Sequence, residues 1–210
     1  YEFYLKAKHK YEKRKNSDDT AIAKDLFKKA LSADNTFFPA KMNLGDIYLN
    51  LGDIDEAHKT FDSLLSQGKE LNDNIKVGIC YRALANVYWT RGDTEESLRY
   101  SFHALEIFEK IKNEKALRGT YSIIGLSYNL SGEYKDALHY HNKHLEIEKK
   151  LDNKIGVATA KNNIGLIYIE TGDFDNALRH LNEAEILAET CDNTKFLAHT
   201  LNRIGYAYIR

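Results

Sequence analysis

The sequence contains one proline and two cysteines among its 210 residues. Because proline interrupts helices, its scarcity favours long helices joined by short turns. The cysteines, Cys80 and Cys191, are far apart and follow neither a metal-binding nor a redox spacing. We therefore expect reduced thiols rather than a disulfide framework or a metal centre.

A strong charge of one sign and long apolar runs are also missing. The formal net charge is −1, which argues against non-specific binding to nucleic acid. No segment approaches the roughly 18 successive apolar residues of a membrane-spanning helix. We expect a cytoplasmic protein with neither nucleic-acid nor membrane partners. Residue 1 is Tyr and no signal-peptide pattern follows it, so we interpret the chain as part of a longer protein.

A repeat of 40 residues runs through most of the chain. Each unit carries a small residue, a tyrosine three positions later, a glycine four positions after that, and then a second small residue. The first small residues are Gly45, Ala85, Gly125, Gly165 and Gly205, and the tyrosines are Tyr48, Tyr88, Tyr128, Tyr168 and Tyr208. The later glycines are Gly52, Gly92, Gly132 and Gly172, followed by Ala57, Ser97, Ala137 and Ala177. Such regularity indicates stacked copies of one structural unit.

The residue types predict that each unit is a helical hairpin. A small residue lets a neighbouring helix approach, and the tyrosine three positions on lies on the same helical face. The glycine supplies a positive φ where the first helix ends. An acidic residue follows it, as at Asp53 and Asp93, where negative charge favours the start of the second helix.

Turn and cap residues then set the predicted boundaries. First helices are expected near 39–50, 75–90, 115–130, 155–170 and 195–210, and second helices near 54–71, 94–111, 134–151 and 174–190. A shorter unit with helices near 1–15 and 19–33, joined by the turn at 16–19, comes before them. We predict one array over 1–210: a short first repeat at about 1–36, repeats at 37–74, 75–113, 114–153 and 154–193, and the first helix of an incomplete repeat at 194–210.

These motifs resemble the tetratricopeptide repeat. The resemblance covers essentially the whole chain and implies an all-α fold, a right-handed α-α superhelix of antiparallel helix hairpins. The 40-residue form is similar to the repeats of Leu-Gly-Asn-rich adaptor proteins and of bacterial signalling proteins. The opening segment at 1–6 and the stretch at 23–31 are similar to the helical arrays attached to bacterial nucleotide cyclases and winged-helix regulators.

In this family the first helix of each hairpin lines a concave groove, and the resemblance implies which positions face it. Arginine and tryptophan are frequent anchors of protein interfaces, so Arg82 and Trp89 are the expected anchors. Amides on the same strip are expected to bond a peptide backbone, with apolar side chains forming pockets. The alternative is that these amides are merely solvated. The candidate groove residues are Asp46, Arg82, Asn86, Trp89, Ser122, Asn129, Asn162, Leu166, Ile169, His199, Asn202 and Tyr206.

One known subtype of the family does not fit. Some tetratricopeptide domains clamp a C-terminal carboxylate with Lys, Asn and Arg side chains on three successive first helices. Lys8 and Asn43 occupy two matching places, but Glu12, Ile79 and Ala83 replace the remaining polar or basic residues. Binding of a chaperone tail is therefore not expected.

The sequence offers no catalytic motif, and we predict a protein that is not an enzyme and binds no cofactor or metal. Phosphate-binding loops and nucleophile elbows are missing from the sequence. His139, His141, His144 and His180 invite a metal site, but His141 and His144 match core positions of the second repeat. We expect semi-buried histidines that bond to neighbouring helices.

The last unit lacks its second helix, and solenoids usually end in a polar cap. Leu201, Ile204 and Tyr208 are therefore expected to be uncovered, which would allow self-association through this end. We predict a non-catalytic module that binds a protein or peptide in its groove, within intracellular signalling or complex assembly. Two alternatives stay open: the regulatory domain of a multidomain enzyme such as a bacterial nucleotide cyclase, and a structural oligomerisation scaffold.

Overall fold

In a computed structural model, residues 1–14 and 16–209 are described, and they form eleven α-helices. The helices pair into hairpins that stack along the chain. They are α1 (Glu2–Glu12), α2 (Ser17–Ala33), α3 (Phe38–Leu51), α4 (Ile54–Glu70), α5 (Asn74–Arg91), α6 (Thr94–Lys110), α7 (Glu114–Leu130), α8 (Tyr134–Lys150), α9 (Lys154–Glu170), α10 (Phe174–Thr190) and α11 (Thr194–Ile209).

The helices agree with the predicted ones to within a few residues, with one difference at the front. The segment 16–19 was expected to be a turn, but only Asn16 lies outside α2. Its side chain accepts a hydrogen bond from the backbone N–H of Asp19 at 2.9 Å. Asn16 is thus the N-cap, and the residues after it already belong to the first helical turn.

The turn inside each 40-residue hairpin is built on glycine, as expected. Gly52, Gly92, Gly132 and Gly172 have φ between 78° and 81°, in the left-handed region. This conformation allows the chain to reverse within two or three residues and start the next helix. Asp93 and Asp173 then cap α6 and α10 with their side chains.

The turn between hairpins uses a different arrangement. Residues other than glycine take a positive φ of about 50° there: Asn72, Lys112, Asp152 and Asp192. An Asp or Asn follows each of them, and its side chain accepts a hydrogen bond from the new helix, as Asp73 does from the N–H of Lys76. The predicted turn and cap positions between repeats are therefore confirmed.

Small residues of the first helices lie directly against large side chains of the second helices. A Cβ atom added at Gly125 would come within 2.7 Å of the His141 ring, and one at Gly165 within 2.7 Å of Leu181. Gly45 packs in the same way against Phe61. In the one repeat with alanine at this position, Ala85, the corresponding residue on the second helix is the smaller Ser101. The core is thus closed repeat by repeat with complementary volumes.

The helices that come first in each hairpin also contact one another along the stack. α5 contacts α7, and both α7 and α11 contact α9. In a curved stack the closest helices lie on the inner side, so these odd-numbered helices form the inner wall. None of the described helices is long and apolar enough to cross a membrane.

Candidate functional site

Two adjoining clefts lie along the inner wall between α3 and α9. The first, here the Arg118 cleft, has a volume of about 370 Å³ and is bordered by Arg82, Lys115, Arg118, Ser122, Glu148 and Thr159. The second, the Asp46 cleft, has a volume of about 300 Å³ and is bordered by Met42, Asp46, Arg82, Asn86, Ser122 and Leu126. Arg82, Gly119 and Ser122 belong to both, so the clefts form one continuous depression.

Four of the candidate groove residues meet in this depression. Asp46, Arg82, Asn86 and Ser122 come from three successive first helices and all line the Asp46 cleft. The four side chains are half-buried. The depression therefore offers a carboxylate, a guanidinium, an amide and a hydroxyl group to a molecule lying across α3, α5 and α7.

The other candidates lie outside these two clefts. Trp89, Asn129 and Leu166 are half-buried, whereas His199, Asn202 and Tyr206 on α11 are exposed. The first three lie on α5, α7 and α9, and the α11 residues continue the inner wall beyond the depression.

Two candidates are buried, although the sequence placed them on the groove surface. Asn162 is 2% exposed and Ile169 is 6% exposed. Helix α11 covers Asn162: His199 Nδ1 lies 3.5 Å from its Nδ2, and Arg203 Nη1 donates to its backbone carbonyl at 2.9 Å. Ile169 packs with Ile204 in the last part of the core. Spacing on α9 alone did not indicate how closely α11 would approach.

Burial determines the charge behaviour of the Asp46 cleft. Burial raises the pKa of the Asp46 carboxyl to about 6, although the positive charge of Arg82 acts in the opposite direction. Burial also lowers the pKa of Arg82, an effect that Asp46 opposes and Arg118 reinforces. No ion pair joins Asp46 to Arg82 within the described part of the chain, so each retains hydrogen-bonding capacity toward the cleft.

Two of the basic side chains of the Arg118 cleft, Lys115 and Arg118, were not among the candidates. Arg118 Nη1 lies 3.4 Å from Oε2 of Glu148, which is 3% exposed. The same carboxylate accepts from Asn153 Nδ2 at 2.7 Å and lies 3.0 Å from His144 Nε2. The repeat itself could have revealed the Arg118–Glu148 pair, because the same two positions hold Gly78 and Phe108 one repeat earlier.

The histidines of α8 differ from their predicted arrangement. His141 and His144 are buried more completely than the expected half-burial, and the expected bonds to neighbouring helices are wrong. His144 contacts Glu148 on its own helix, and neither ring nitrogen of His141 has a partner among the described residues. Burial lowers the pKa of His141 to about 3. Within residues 1–14 and 16–209, no group of three or more His, Cys, Asp or Glu residues could hold a metal ion.

The exposed apolar residues at the end of the array agree only partly with expectation. Tyr208 is 69% exposed and Leu201 is 45% exposed, as the sequence indicated. Ile204 is 9% exposed, because it packs with Ile169, Ala177 and Leu181. Helix α10 of the preceding hairpin supplies a cover that the sequence-based interpretation did not anticipate.

Solved structures with the same fold are numerous. A Rap protein complexed with Competence and Sporulation Factor matches with a TM-score of 0.84 at 15% identity, over 98% of this chain and 61% of that one. The apo form of RapI matches with a TM-score of 0.69 at 25% identity, over 81% of this chain and 62% of that one. The search of curated proteins found no match to this sequence.

A signal transduction ATPase with numerous domains and a tetratricopeptide repeat sensor, from Pyrococcus horikoshii, matches with a TM-score of 0.77 at 20% identity, over 90% of this chain and 29% of that one. This chain thus spans less than two thirds of each of these three proteins. The likenesses confirm the fold class, an all-α right-handed superhelix of antiparallel hairpins.

The family comparison agrees with the repeat pattern and with the stacked hairpins. The family model described as tetratricopeptide repeat matches residues 37–110 and again residues 117–190. Together these segments include most of the helices that form the inner wall and both clefts. The chain belongs to the tetratricopeptide repeat family.

Proposed function

We propose that this chain is a non-catalytic module that binds an extended protein segment or peptide along its inner wall. The observation that carries the proposal is the continuous depression formed by the Asp46 and Arg118 clefts. It crosses successive helices, and its lining alternates polar side chains such as Asn86 and Ser122 with apolar ones such as Met42 and Leu126. Extended peptides are bound by this combination, since backbone groups need hydrogen bonds and side chains need pockets.

Arg82 and Trp89 are the proposed anchors of the bound segment. Arg82 lies where the two clefts meet, and Trp89 is half-buried two turns further along the same helix. Side chains of these two types are enriched among the residues that contribute most to binding, which lie in well-packed, desolvated pockets near the centre of an interface. The amides and exposed side chains toward α11, including Asn202 and Tyr206, would contact the part of the partner that leaves the depression.

The setting we propose is cytoplasmic signalling or complex assembly. A second candidate function is a sensor domain within a larger signalling protein, with any catalysis outside this chain. It is supported by the fold likeness to an ATPase that carries a tetratricopeptide repeat sensor. A structural scaffold that self-associates through exposed residues such as Tyr208 is the third candidate.

The test measures the binding of labelled nonapeptides of random sequence by fluorescence anisotropy. The expected result is saturable binding by the wild type and a loss of about tenfold or more in affinity for Arg82→Ala and for Trp89→Ala. Phe102→Ala is the matched control, because Phe102 is an exposed aromatic residue on the outer helix α6.

Circular dichroism should show the same helical content in all four proteins. Equal loss in Phe102→Ala would contradict a site on the inner wall. Sedimentation velocity on the same samples separates the scaffold alternative, which requires an oligomer that dissociates when Tyr208 is replaced by Ser.

A further inference from the structure

We propose that the Arg118 cleft is a subsite for one anionic side chain, carboxylate or phosphoryl, of the bound segment. This inference rests on the proposed function, because it assumes that a segment lies along the inner wall. The inference adds to that function the type of side chain, an anionic one, that the inner wall binds preferentially. It also differs from the carboxylate clamp considered above, whose five positions in this chain do not include Arg82, Lys115 or Arg118.

The cleft holds an excess of positive charge. Three of its lining side chains are cationic, Arg82, Lys115 and Arg118, whereas Glu148 is its one carboxylate among the described residues. Burial lowers the pKa of His144, so His144 adds no positive charge at neutral pH. Two guanidinium groups that repel each other next to an ammonium group create a local potential that favours an anion.

Two of these cations form no close ion pair with any described residue, although the charge of Asp46 acts on Arg82 from the adjoining cleft. Neither Arg82 nor Lys115 has an ion pair or side-chain hydrogen bond to any residue in the described ranges. Arg82 is half-buried and extends toward α7, where its Nη1 would lie 3.2 Å from a Cβ atom at Gly119. A guanidinium that has lost part of its hydration without gaining an acceptor is poised for a charge-assisted bond.

Arg118 is only partly used by Glu148. The contact is a single one at 3.4 Å, and the Arg118 side chain remains 42% exposed. The Glu148 carboxylate is satisfied mainly by His144 and Asn153, at 3.0 and 2.7 Å. Because a guanidinium has five N–H groups, most of those on Arg118 are available to a ligand.

The space in the cleft comes from sequence changes within the repeat. The position of Gly119 holds Ile79 in the preceding repeat, and the loss of that side chain makes room for Arg82. Ser122 adds a hydroxyl group that has no hydrogen bond to the described residues. The volume of about 370 Å³ is sufficient for the end of a glutamate or phosphoserine side chain.

The experiment uses four pools of labelled nonapeptides with random flanking residues and one fixed central residue: glutamate, phosphoserine, glutamine or lysine. The expected result is binding of the glutamate or phosphoserine pool at least about tenfold tighter than binding of the glutamine pool. Comparison of the glutamate and phosphoserine pools identifies whether a carboxylate or a phosphoryl group is preferred. The preference should weaken as salt is raised.

Arg118→Gln and Lys115→Gln should each lower the ratio of the affinities for the glutamate and glutamine pools toward one. Arg179→Gln and Lys28→Gln are matched controls, since both residues are exposed on other helices. Lys115 is exposed as well, so Lys115→Gln tests the cleft without risk to the fold.

The possible failures are distinguishable. Equal binding of all four pools would overturn the anionic subsite and leave the peptide-binding function standing. A preference that survives in both Arg118→Gln and Lys115→Gln would also overturn the subsite, because the selecting charge would lie elsewhere. Absence of binding by every pool would overturn the proposed function and the subsite with it.

Discussion

Arg118 on α7 and Glu148 on α8 form an ion pair, with Nη1 3.4 Å from Oε2. One repeat earlier the same two positions hold Gly78 and Phe108, and a Cβ atom at Gly78 would lie 2.7 Å from the Phe108 ring. Two repeats thus close the same interface by different means, a large residue against a small one and a charge against a charge. The exchange places charged groups beside the groove that the preceding repeat does not have.

The first prediction is that Arg118 and Glu148 can be replaced by the Gly and Phe of the preceding repeat without a large loss of stability only when both are replaced together. Arg118→Gly should destabilise the protein by about 2 kcal/mol, because Glu148 loses a charged partner and the helix gains a glycine. Glu148→Phe alone should cost about 1–3 kcal/mol, because the ring meets Arg118. The double variant should return to within about 1 kcal/mol of the wild type, measured by urea unfolding. Additive losses would contradict the equivalence of the two pairs.

The second prediction concerns two glycines at equivalent positions. Gly125→Ala should destabilise by about 1–3 kcal/mol, because its Cβ would lie 2.7 Å from the His141 ring. Gly205→Ala is the matched control: nothing lies within 4 Å of a Cβ there, and alanine favours helix by up to about 1 kcal/mol. Adding His141→Ser to Gly125→Ala copies the natural Ala85 and Ser101 combination and should recover part of the loss. In thermal unfolding, Gly205→Ala should be the most stable protein, followed by the wild type, the Gly125→Ala/His141→Ser double variant and Gly125→Ala.

Much of the fold could be predicted from the sequence because its determinants are local. The positive φ of Gly52 and its equivalents, and the caps such as Asp73, depend on a few neighbouring residues, so spacing revealed them. Burial of Asn162 and Ile204 depends instead on how closely α9, α10 and α11 approach, which no local pattern encodes.

The site shows the same division. Position within the repeat was enough to bring Asp46, Arg82, Asn86 and Ser122 to one wall. Arg118 was missed because its position is a packing position in the neighbouring repeats. Its ion pair becomes evident only when Glu148, thirty residues later, is compared with the phenylalanine at the equivalent position.

The third prediction is that His141 makes the protein sensitive to acid. Burial lowers its pKa in the folded state to about 3 from the usual 6.5. As the pH falls below 6.5 the unfolded chain takes up the proton and the folded one does not, so stability is lost down to about pH 3. His141→Leu, which copies Leu181, should reduce this loss by up to about 1.4 kcal/mol per pH unit. The measurement is urea unfolding between pH 7.5 and 4.

Two groups other than His141 contribute to the environment of this site. His144 and Arg203 both disfavour a charge on His141, and the pKa of His144 is itself lowered by burial. His139→Gln is the control, because His139 lies on the same helix but is exposed. An unchanged pH slope in His141→Leu would contradict the assignment to His141 and would indicate His144 as the group that dominates the acid response.

The fourth prediction is that Asp46 changes stability with pH in the opposite direction from His141: the buried carboxyl destabilises the fold at high pH, whereas the buried imidazole does so at low pH. Burial raises the Asp46 pKa from 3.8 to about 6. Above pH 6 the Asp46 carboxyl is ionised in both states, but the charge is less stable in the folded protein than in the unfolded chain, so it destabilises the fold. Asp46→Asn should therefore stabilise the protein above pH 6, on the order of 1 kcal/mol after solvent screening. The gain should shrink as the pH falls through 6 and vanish near 3.8. Asp62→Asn, an exposed control on α4, should show no such dependence; a gain independent of pH would contradict the assignment.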